Sequence, residues 1–243
     1  MSFLIGAIKI IVLLGFLILI HEGGHFLVAK ACRVKVREFS IGFGPTLYSW
    51  QGKETKYTIR WIPFGGYVDM LGETERDDGE GSFSKASVLK RIAIVIAGAT
   101  VNIVFGLIVF FILACIARHD IGFAFKQTGL YILDVLNSVK LIFTGNINME
   151  QMVGPVGISE MVVQTDGLFN FVYLMSLISV SLGVTNLLPI PALDGGKIII
   201  LILEGLRKKP LKEEVEIKIQ LMGFSLLILF SLYVTYKDIL RIF

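Results

Sequence analysis

Four long apolar stretches decide what this chain can fold into. They cover residues 3–29, 92–117, 168–188 and 219–236. Each is long enough to cross about 30 Å of hydrocarbon as a helix that rises about 1.5 Å per residue. The chain is 54% apolar and only 18% charged, which is not typical of a soluble domain. The sequence therefore predicts an α-helical polytopic membrane protein, with about four transmembrane helices in one domain over residues 1–243.

The first stretch is expected to be a retained transmembrane helix. It has no clustered basic region before it and no small-residue cleavage site after it, so it differs from a signal peptide. The two cysteines, Cys32 and Cys115, form no CxxC motif, so they suggest neither a disulfide framework nor a thiolate metal site.

Basic residues are distributed unevenly between the predicted spans. The connection after the first span carries ten Lys and Arg residues from Arg33 to Arg91, and the connection after the third carries four between Arg207 and Lys212. The connection after the second has three over about fifty residues. The positive-inside rule then predicts cytoplasmic first and third connections and both termini outside. Topology accounts for these charges, and no nucleic-acid partner is expected.

The motif HEGGH stands at the end of the first apolar stretch. Residues four apart lie on one face of a helix, so His21 and His25 can bind one metal ion, with Glu22 beside them to take a proton from water. A lone histidine on an apolar helix is usually a packed core residue. Here two of only three histidines have ligand spacing, and ionisable residues at membrane depth indicate a functional site.

A third metal ligand is expected at the end of the third span. Spans one and three run in the same direction, so their ends lie at one depth, and Asp194 is the best-placed carboxylate there. Two imidazoles and one oxygen ligand leave the fourth position of a zinc site open, as in catalytic sites. Glu38, Asp69 and Glu73 remain alternatives, and Asp194 would otherwise belong to an Asp-Gly-Gly turn without a metal role.

A β-rich region over about residues 39–70 follows the first span. Residues 40–45 and 55–70 alternate as strands do, and Gly65 and Gly66 are expected to form a turn. Such a hairpin is permitted at membrane depth where it is buried or lines a wet cavity, and its edge would bind an extended substrate by strand addition. The alternative is an ordinary hairpin in a cytoplasmic loop.

Composition predicts the character of the remaining connections. Residues 73–87 are polar and contain glycine, so we expect a mobile surface connection. Residues 129–143 place leucines among polar residues, which predicts an amphipathic helix. Residues 154–159, GPVGIS, are expected to form a turn before the third span.

In these motifs the chain resembles the site-2 protease family of intramembrane zinc metalloproteases. The similarity is to the bacterial branch that releases sigma factors by cutting anti-sigma proteins. HEGGH matches the HExxH of that family, and residues 186–196, NLLPIPALDGG, match its NxxPxPxLDGG. SIGFGP, IPFGGYV and GPVGIS are similar to accessory motifs of the branch.

The resemblance implies a set of site residues. It implies that zinc is bound by His21, His25 and Asp194, that Glu22 is the general base, and that the hairpin engages the substrate. The residues expected to contact substrate are Asn186, Pro189, Pro191, Gly65 and Gly66. Asn186 is expected to bind substrate or the oxyanion, and the two prolines to break the third helix so that the aspartate turns inward.

Two features depart from the family pattern. Residues 97–102 read AGATVN, where the family usually has a proline after AG, and this leaves the role of Asn102 open. The branch normally carries one or two PDZ domains between spans two and three. The segment near residues 118–127 has no room for one, so the chain is either a naturally minimal member or an engineered deletion.

The sequence thus predicts a zinc metalloendopeptidase that cleaves transmembrane segments of single-span proteins, such as anti-sigma factors or remnant signal peptides. It is expected in the inner (cytoplasmic) membrane, with its active site near the cytoplasmic side. Two alternatives stay open. One is a membrane-anchored zinc protease acting on cytoplasmic-face substrates, with Glu38 as third ligand. The other is a zinc transporter, which would need ligands strung along a path across the bilayer.

Overall fold

The computed structural model describes residues 2–146 and 153–242. Over these residues the chain forms seven helices and two strands. In chain order they are α1 (Ser2–Ala31), β1 (Val36–Gln51), β2 (Lys56–Met70), α2 (Val88–Arg118), α3 (Ile121–Thr144), α4 (Pro155–Gln164), α5 (Leu168–Asn186), α6 (Asp194–Arg207) and α7 (Glu213–Ile242).

The four predicted spans are confirmed as long apolar helices. They cover Leu4–Ala31, Val88–Arg118, Leu168–Asn186 and Glu213–Arg241. Their outer faces are apolar and exposed, as with Leu4, Ile8 and Val12 along one side of α1. A bilayer would cover these side chains, so the predicted helical membrane fold stands, with the small β-element after the first helix.

The described residues form two compact units. One contains residues 2–10, 103–146, 153–181 and 227–242, and the other contains residues 11–102 and 182–226. The second unit has a core in which the end of α1, both strands, the start of α2 and α6 each contribute buried apolar side chains. These include Ala29, Val36, Val68, Ile94 and Leu201. The core therefore fixes α1 and α6 around the same hairpin.

β1 and β2 form an antiparallel hairpin that folds over on itself. Residues 38–41 of β1 pair both with residues 66–69 and with residues 56–59 of β2. A residue in a sheet can have only one partner on each side, so this part of β1 lies between two segments of β2. The strand predicted at residues 40–45 is confirmed within the longer β1, and the strand predicted at residues 55–70 is confirmed as β2 to within one residue.

The turn predicted at Gly65 and Gly66 is wrong, because both residues lie inside β2. Gly65 bends the strand instead. Its φ of 121° is a conformation that side-chain-bearing residues rarely adopt. A Cβ on it would lie 1.9 Å from a ring carbon of Phe43. Positive φ angles at Gly42 and Gly44 supply the corresponding bend of β1.

One further expectation for the connections is wrong, and another holds only in part. Residues 154–159 are not a turn: Gly154 precedes α4, and Pro155 occupies its first position, where a missing N–H costs nothing. The connection at residues 73–87 is not simply a polar surface segment. Phe83 is only 3% exposed and belongs to the core, and its N–H donates to the carbonyl of Leu71.

In the other unit, side chains from α7 and α1 contact the two ends of α4. The carboxylate of Asp238, fully buried on α7, accepts hydrogen bonds from the N–H groups of Gly154 and Gly157 at the start of the helix. The ammonium group of Lys9 on α1 lies 2.7 Å from the carbonyl of Thr165 at its end. A negative charge at the N-terminus and a positive charge at the C-terminus both stabilise a helix dipole.

Candidate metal centre

Two imidazoles meet one helical turn apart on α1. Nε2 of His21 and Nε2 of His25 are 3.2 Å apart, and the two rings meet edge to face. Both residues lie within the apolar span Leu4–Ala31. The spacing read from the motif therefore gives a convergent pair of ring nitrogens, as the helical period requires.

Asp194 brings a carboxylate to the same point. Its Oδ2 lies 3.3 Å from Nε2 of His21 and 3.6 Å from Nε2 of His25. This oxygen is buried, and no hydrogen bond from a described residue reaches it. A buried carboxylate oxygen is costly unless it has a partner. A cation between the three atoms would satisfy it.

The position of Asp194 follows from the break between α5 and α6. α5 ends at Asn186, and Asp194 begins α6 after a loop in which Ala192 has a φ of 75°. Gly195 and Gly196 let the first turn of α6 lie against that loop. A Cβ on either would approach a loop carbonyl oxygen to within 2.3 Å. The Asp-Gly-Gly sequence thus begins a helix and aims the carboxylate at the histidines.

The Nδ1 atoms of the two histidines point away from the site, and their contacts determine whether Nε2 is free to bind a metal. Nδ1 of His25 lies 2.8 Å from the carbonyl oxygen of Ile94, so Nδ1–H donates and Nε2 keeps its lone pair. The side-chain amide of Asn102 lies 3.4 Å from Nδ1 of His21. The oxygen and nitrogen of a side-chain amide are interchangeable in such a contact, and with its oxygen towards the ring the amide would accept from Nδ1–H. Outer partners of this kind fix metal-binding imidazoles in proteins.

These three side chains fit a zinc ion. A tetrahedral site with bonds of about 2.0–2.1 Å has ligand atoms about 3.3 Å apart, and the three observed separations lie between 3.2 and 3.6 Å. Within residues 2–146 and 153–242, they form the one cluster of three or more metal-binding side chains. Three protein ligands leave one position open, as catalytic zinc sites require.

Glu22 and several other predicted residues face a common cavity. The cavity has a volume of about 380 Å³ and is lined by the three metal-binding side chains, Glu22, Gly66, Asn186 and Pro191. Gly65 and Pro189 are not among the residues lining it. Sequence reasoning also did not identify Lys197 on α6 or Gln220 on α7, which both line this cavity.

The acidic alternatives for the third ligand lie outside the cluster. Oε1 of Glu38 accepts hydrogen bonds from Arg60 at 2.8 Å and from the Tyr67 hydroxyl at 2.9 Å. Burial alone would raise the pKa of the Glu38 carboxyl, but hydrogen bonds from Arg60, Thr58 and Tyr67 outweigh it and lower that pKa. This carboxylate therefore links β1 to two side chains of β2. Glu73 forms an ion pair with Lys197, and Asp69 does not join the cluster.

Gly98 of α2 is a site residue that the motif search missed. A Cβ on it would lie 2.4 Å from Nε2 of His25 and 2.9 Å from Nε2 of His21. Gly24 similarly packs against the carbonyl of Ala97, so it allows α1 and α2 to approach closely. The signal was present in the AGATVN segment as two small residues, but only the helix crossing shows what they face.

Gly98→Ala is expected to weaken zinc binding about 10-fold to 100-fold, because the added methyl group presses on both ligand nitrogens. The measurement is zinc affinity by competition with a chromogenic chelator. Gly15→Ala on α1 is the matched control, since nothing lies within 4 Å of a Cβ there. Equal zinc affinity in both variants would contradict the close approach.

Comparison with known proteins gives one family and a consistent set of relatives. Residues 9–230 match the model of peptidase family M50. A Clostridium acetobutylicum protein, provisionally named a zinc metalloprotease, is 29% identical over 93% of this chain and 94% of its own length. A similarly named Fusobacterium nucleatum protein is 26% identical over the full length of both. Zinc metalloprotease RasP of Oceanobacillus iheyensis is 24% identical over 97% of this chain and 99% of its own.

The relatives are longer than this chain. The alignments with the Clostridium acetobutylicum protein and with RasP extend over 320 and 420 positions, whereas the chain has 243 residues. The relatives therefore carry residues that this chain lacks. No PDZ domain is evident in the residues that the structure describes, since α3 begins three residues after the end of α2.

Proposed function

This chain belongs to peptidase family M50 and is a zinc metalloendopeptidase, and we propose that it cleaves the transmembrane segments of single-span membrane proteins inside the bilayer. The observation that carries the proposal is the position of the histidine pair. His21 and His25 lie within an apolar helix of membrane-spanning length, and Asp194 meets them there. A metal centre built into a span acts on peptide bonds that reach that depth.

We further propose the orientation that the basic residues indicate. The first and third connections face the cytoplasm, both termini face outside, and the metal centre lies near the cytoplasmic side. Candidate substrates are single-span proteins with the cleavable segment towards that side, including anti-sigma factors and remnant signal peptides.

The side chains of the cavity divide the chemistry between them. Zinc, when bound by His21, His25 and Asp194, supplies Lewis-acid activation of water and of the peptide carbonyl. Glu22 takes the proton from the attacking water and returns it to the leaving amine. Asn186, which lines the same cavity, donates from its amide to the oxyanion that forms at the carbonyl.

The hairpin presents backbone to the same cavity. Gly66, Tyr67, Val68 and Met70 of β2 line it. One edge of this stretch is paired with β1. A substrate helix buries its carbonyl groups in its own hydrogen bonds and must unwind before hydrolysis, and an unwound segment added along β2 would recover hydrogen bonds for its backbone.

Gly66→Ala is expected to lower cleavage about 10-fold to 100-fold and to leave zinc content unchanged. The new Cβ would lie 2.8 Å from the carbonyl oxygen of Ser40 and 3.1 Å from Cγ of Glu22, so the strand and the base must both shift. The measurement is the initial rate of substrate cleavage alongside zinc content. An unchanged rate would show that neither the strand nor Glu22 depends on this contact.

A reconstitution assay tests the proposed activity. The purified chain and a model single-span substrate are placed in lipid nanodiscs, and cleavage is followed by gel and mass spectrometry. We expect cleavage that a zinc chelator stops and added zinc restores. Substrates with helix-breaking residues in the span should be cut faster than versions with leucine at those positions. Transport of zinc into sealed vesicles without any cleavage would favour the transporter instead.

A further inference from the structure

A second cavity lies at the junction between the first span and the strands. It has a volume of about 510 Å³, it is separate from the metal centre, and the proposed function makes no use of it. Its lining includes four cationic side chains, Arg33, Lys35, Lys85 and Lys90, against one acidic side chain, Glu80. None of the four forms an ion pair with a described residue. The Lys85 ammonium group donates to the carbonyl of Asp78 at 3.1 Å. The cavity is therefore lined by more positive than negative side chains.

Hydrogen bonds and buried neighbours hold the backbone beside this cavity. The N–H of Lys35 donates to the carbonyl of Gly81 at 2.9 Å, and its own carbonyl accepts from Leu71 at 2.9 Å. Val34 and Phe83, the immediate neighbours in sequence, are buried in the core. Lys35 thus projects from backbone that is hydrogen-bonded to two neighbouring segments, and Lys90 projects from the first turn of α2.

The backbone at the cavity adds to its preference for anions. Arg33 has a φ of 64° because it is the left-handed residue that terminates α1, where the N–H of Val34 donates to the carbonyl of Ala29. Lys90 lies in the first turn of α2, which begins at Val88, and the positive end of a helix dipole attracts anions.

The position of the cavity at the ends of two spans indicates which kind of anion would reach it. One wall begins at Cys32, directly after the first span ends at Ala31, and another includes Lys90, near the start of the second span at Val88. Phosphate groups of lipids lie at this boundary between hydrocarbon and water. The positive-inside rule explains why basic residues occur on this side, but it does not require four of them to line one cavity.

We propose that this cavity binds the phosphate headgroup of an anionic membrane lipid. Cationic pockets at the ends of transmembrane helices have the charge and the location that such headgroups require. The lipid would link the end of the first span to the start of the second, next to the hairpin.

The test compares two triple variants of the full chain in detergent. The cavity variant carries Arg33→Gln, Lys35→Gln and Lys90→Gln. The control variant carries Arg207→Gln, Lys209→Gln and Lys212→Gln, which remove the same charge from exposed positions in the third connection. Each is titrated with phosphatidylglycerol, with phosphatidylcholine and with inorganic phosphate, and binding is measured by native mass spectrometry.

We expect phosphatidylglycerol to bind the unmodified chain and the control variant equally, and the cavity variant about tenfold more weakly. Equal losses in both variants would overturn the proposal in favour of general surface charge. The proposal would also be overturned if inorganic phosphate bound with the same affinity as phosphatidylglycerol. The same holds if phosphatidylcholine bound with that affinity. Glu80→Gln provides a second measurement if the cavity variant does not fold. It removes the one negative charge and should strengthen phosphatidylglycerol binding several-fold; no change would count against the site.

Discussion

Glu22→Gln is expected to lower peptide cleavage by about a hundredfold to ten-thousandfold while the protein keeps its zinc. Glu22 stands beside the ligand pair on α1 and lines the cavity of the metal centre, but it is not part of the cluster of three ligand atoms. Glutamine has nearly the same shape and cannot accept the proton of the attacking water. A general base is typically responsible for a rate factor of this size.

Two quantities are measured: the cleavage rate of the model substrate, and the zinc content of the purified protein by elemental mass spectrometry. Glu54→Gln is the matched control, because Glu54 is an exposed carboxylate paired with Lys30. It should keep both cleavage and zinc. If Glu22→Gln retained a substantial fraction of the activity, the base would be another residue. Loss of zinc in this variant would make Glu22 part of the metal binding instead.

Asp194→Ala is expected to remove zinc and cleavage together. The variant leaves two imidazoles, which bind zinc far more weakly than a complete set of three ligands. The buried Oδ2 has no hydrogen-bond donor among the described residues, so its loss leaves no protein donor unpaired. The fold should therefore survive, and circular dichroism should show unchanged helix content while the zinc is lost.

Glu38→Ala distinguishes this ligand set from the main alternative. Glu38 braces the hairpin through Arg60, so its removal should leave the zinc content unchanged. Asp194→Asn adds a finer comparison, because it keeps the shape but removes the charge, and zinc affinity should fall. Full zinc in Asp194→Ala with loss of zinc in Glu38→Ala would mean that the third ligand comes from the hairpin.

The sequence predicted those features that depend on one segment at a time. The four spans follow from length and hydropathy alone, and the meeting of His21 and His25 follows from the helical period. The placement of Asp194 needed one further step, the direction of the third span relative to the first. Its position beside both imidazoles matches that reasoning.

Features that depend on contacts between distant segments were not predicted. The sequence does not indicate α6, because Asp194, Gly195 and Gly196 resemble a turn, and only packing of α6 against its own preceding loop makes them a helix start. The start of α4 resembles a turn in sequence, because the carboxylate that caps it, Asp238, lies on another helix. The same reason explains Gly98, whose importance comes entirely from the two imidazoles that face it.

The position of the cut tests the central claim most directly. A single-span substrate is cleaved in nanodiscs, and the new termini are identified by mass spectrometry, with Glu22→Gln as the negative control. Cleavage inside a bilayer requires the cut bond to lie within the apolar segment of the substrate, towards the end that matches the depth of His21 and His25. A cut confined to the polar flank of the substrate, with the apolar segment intact, would contradict intramembrane cleavage and indicate a membrane-anchored protease.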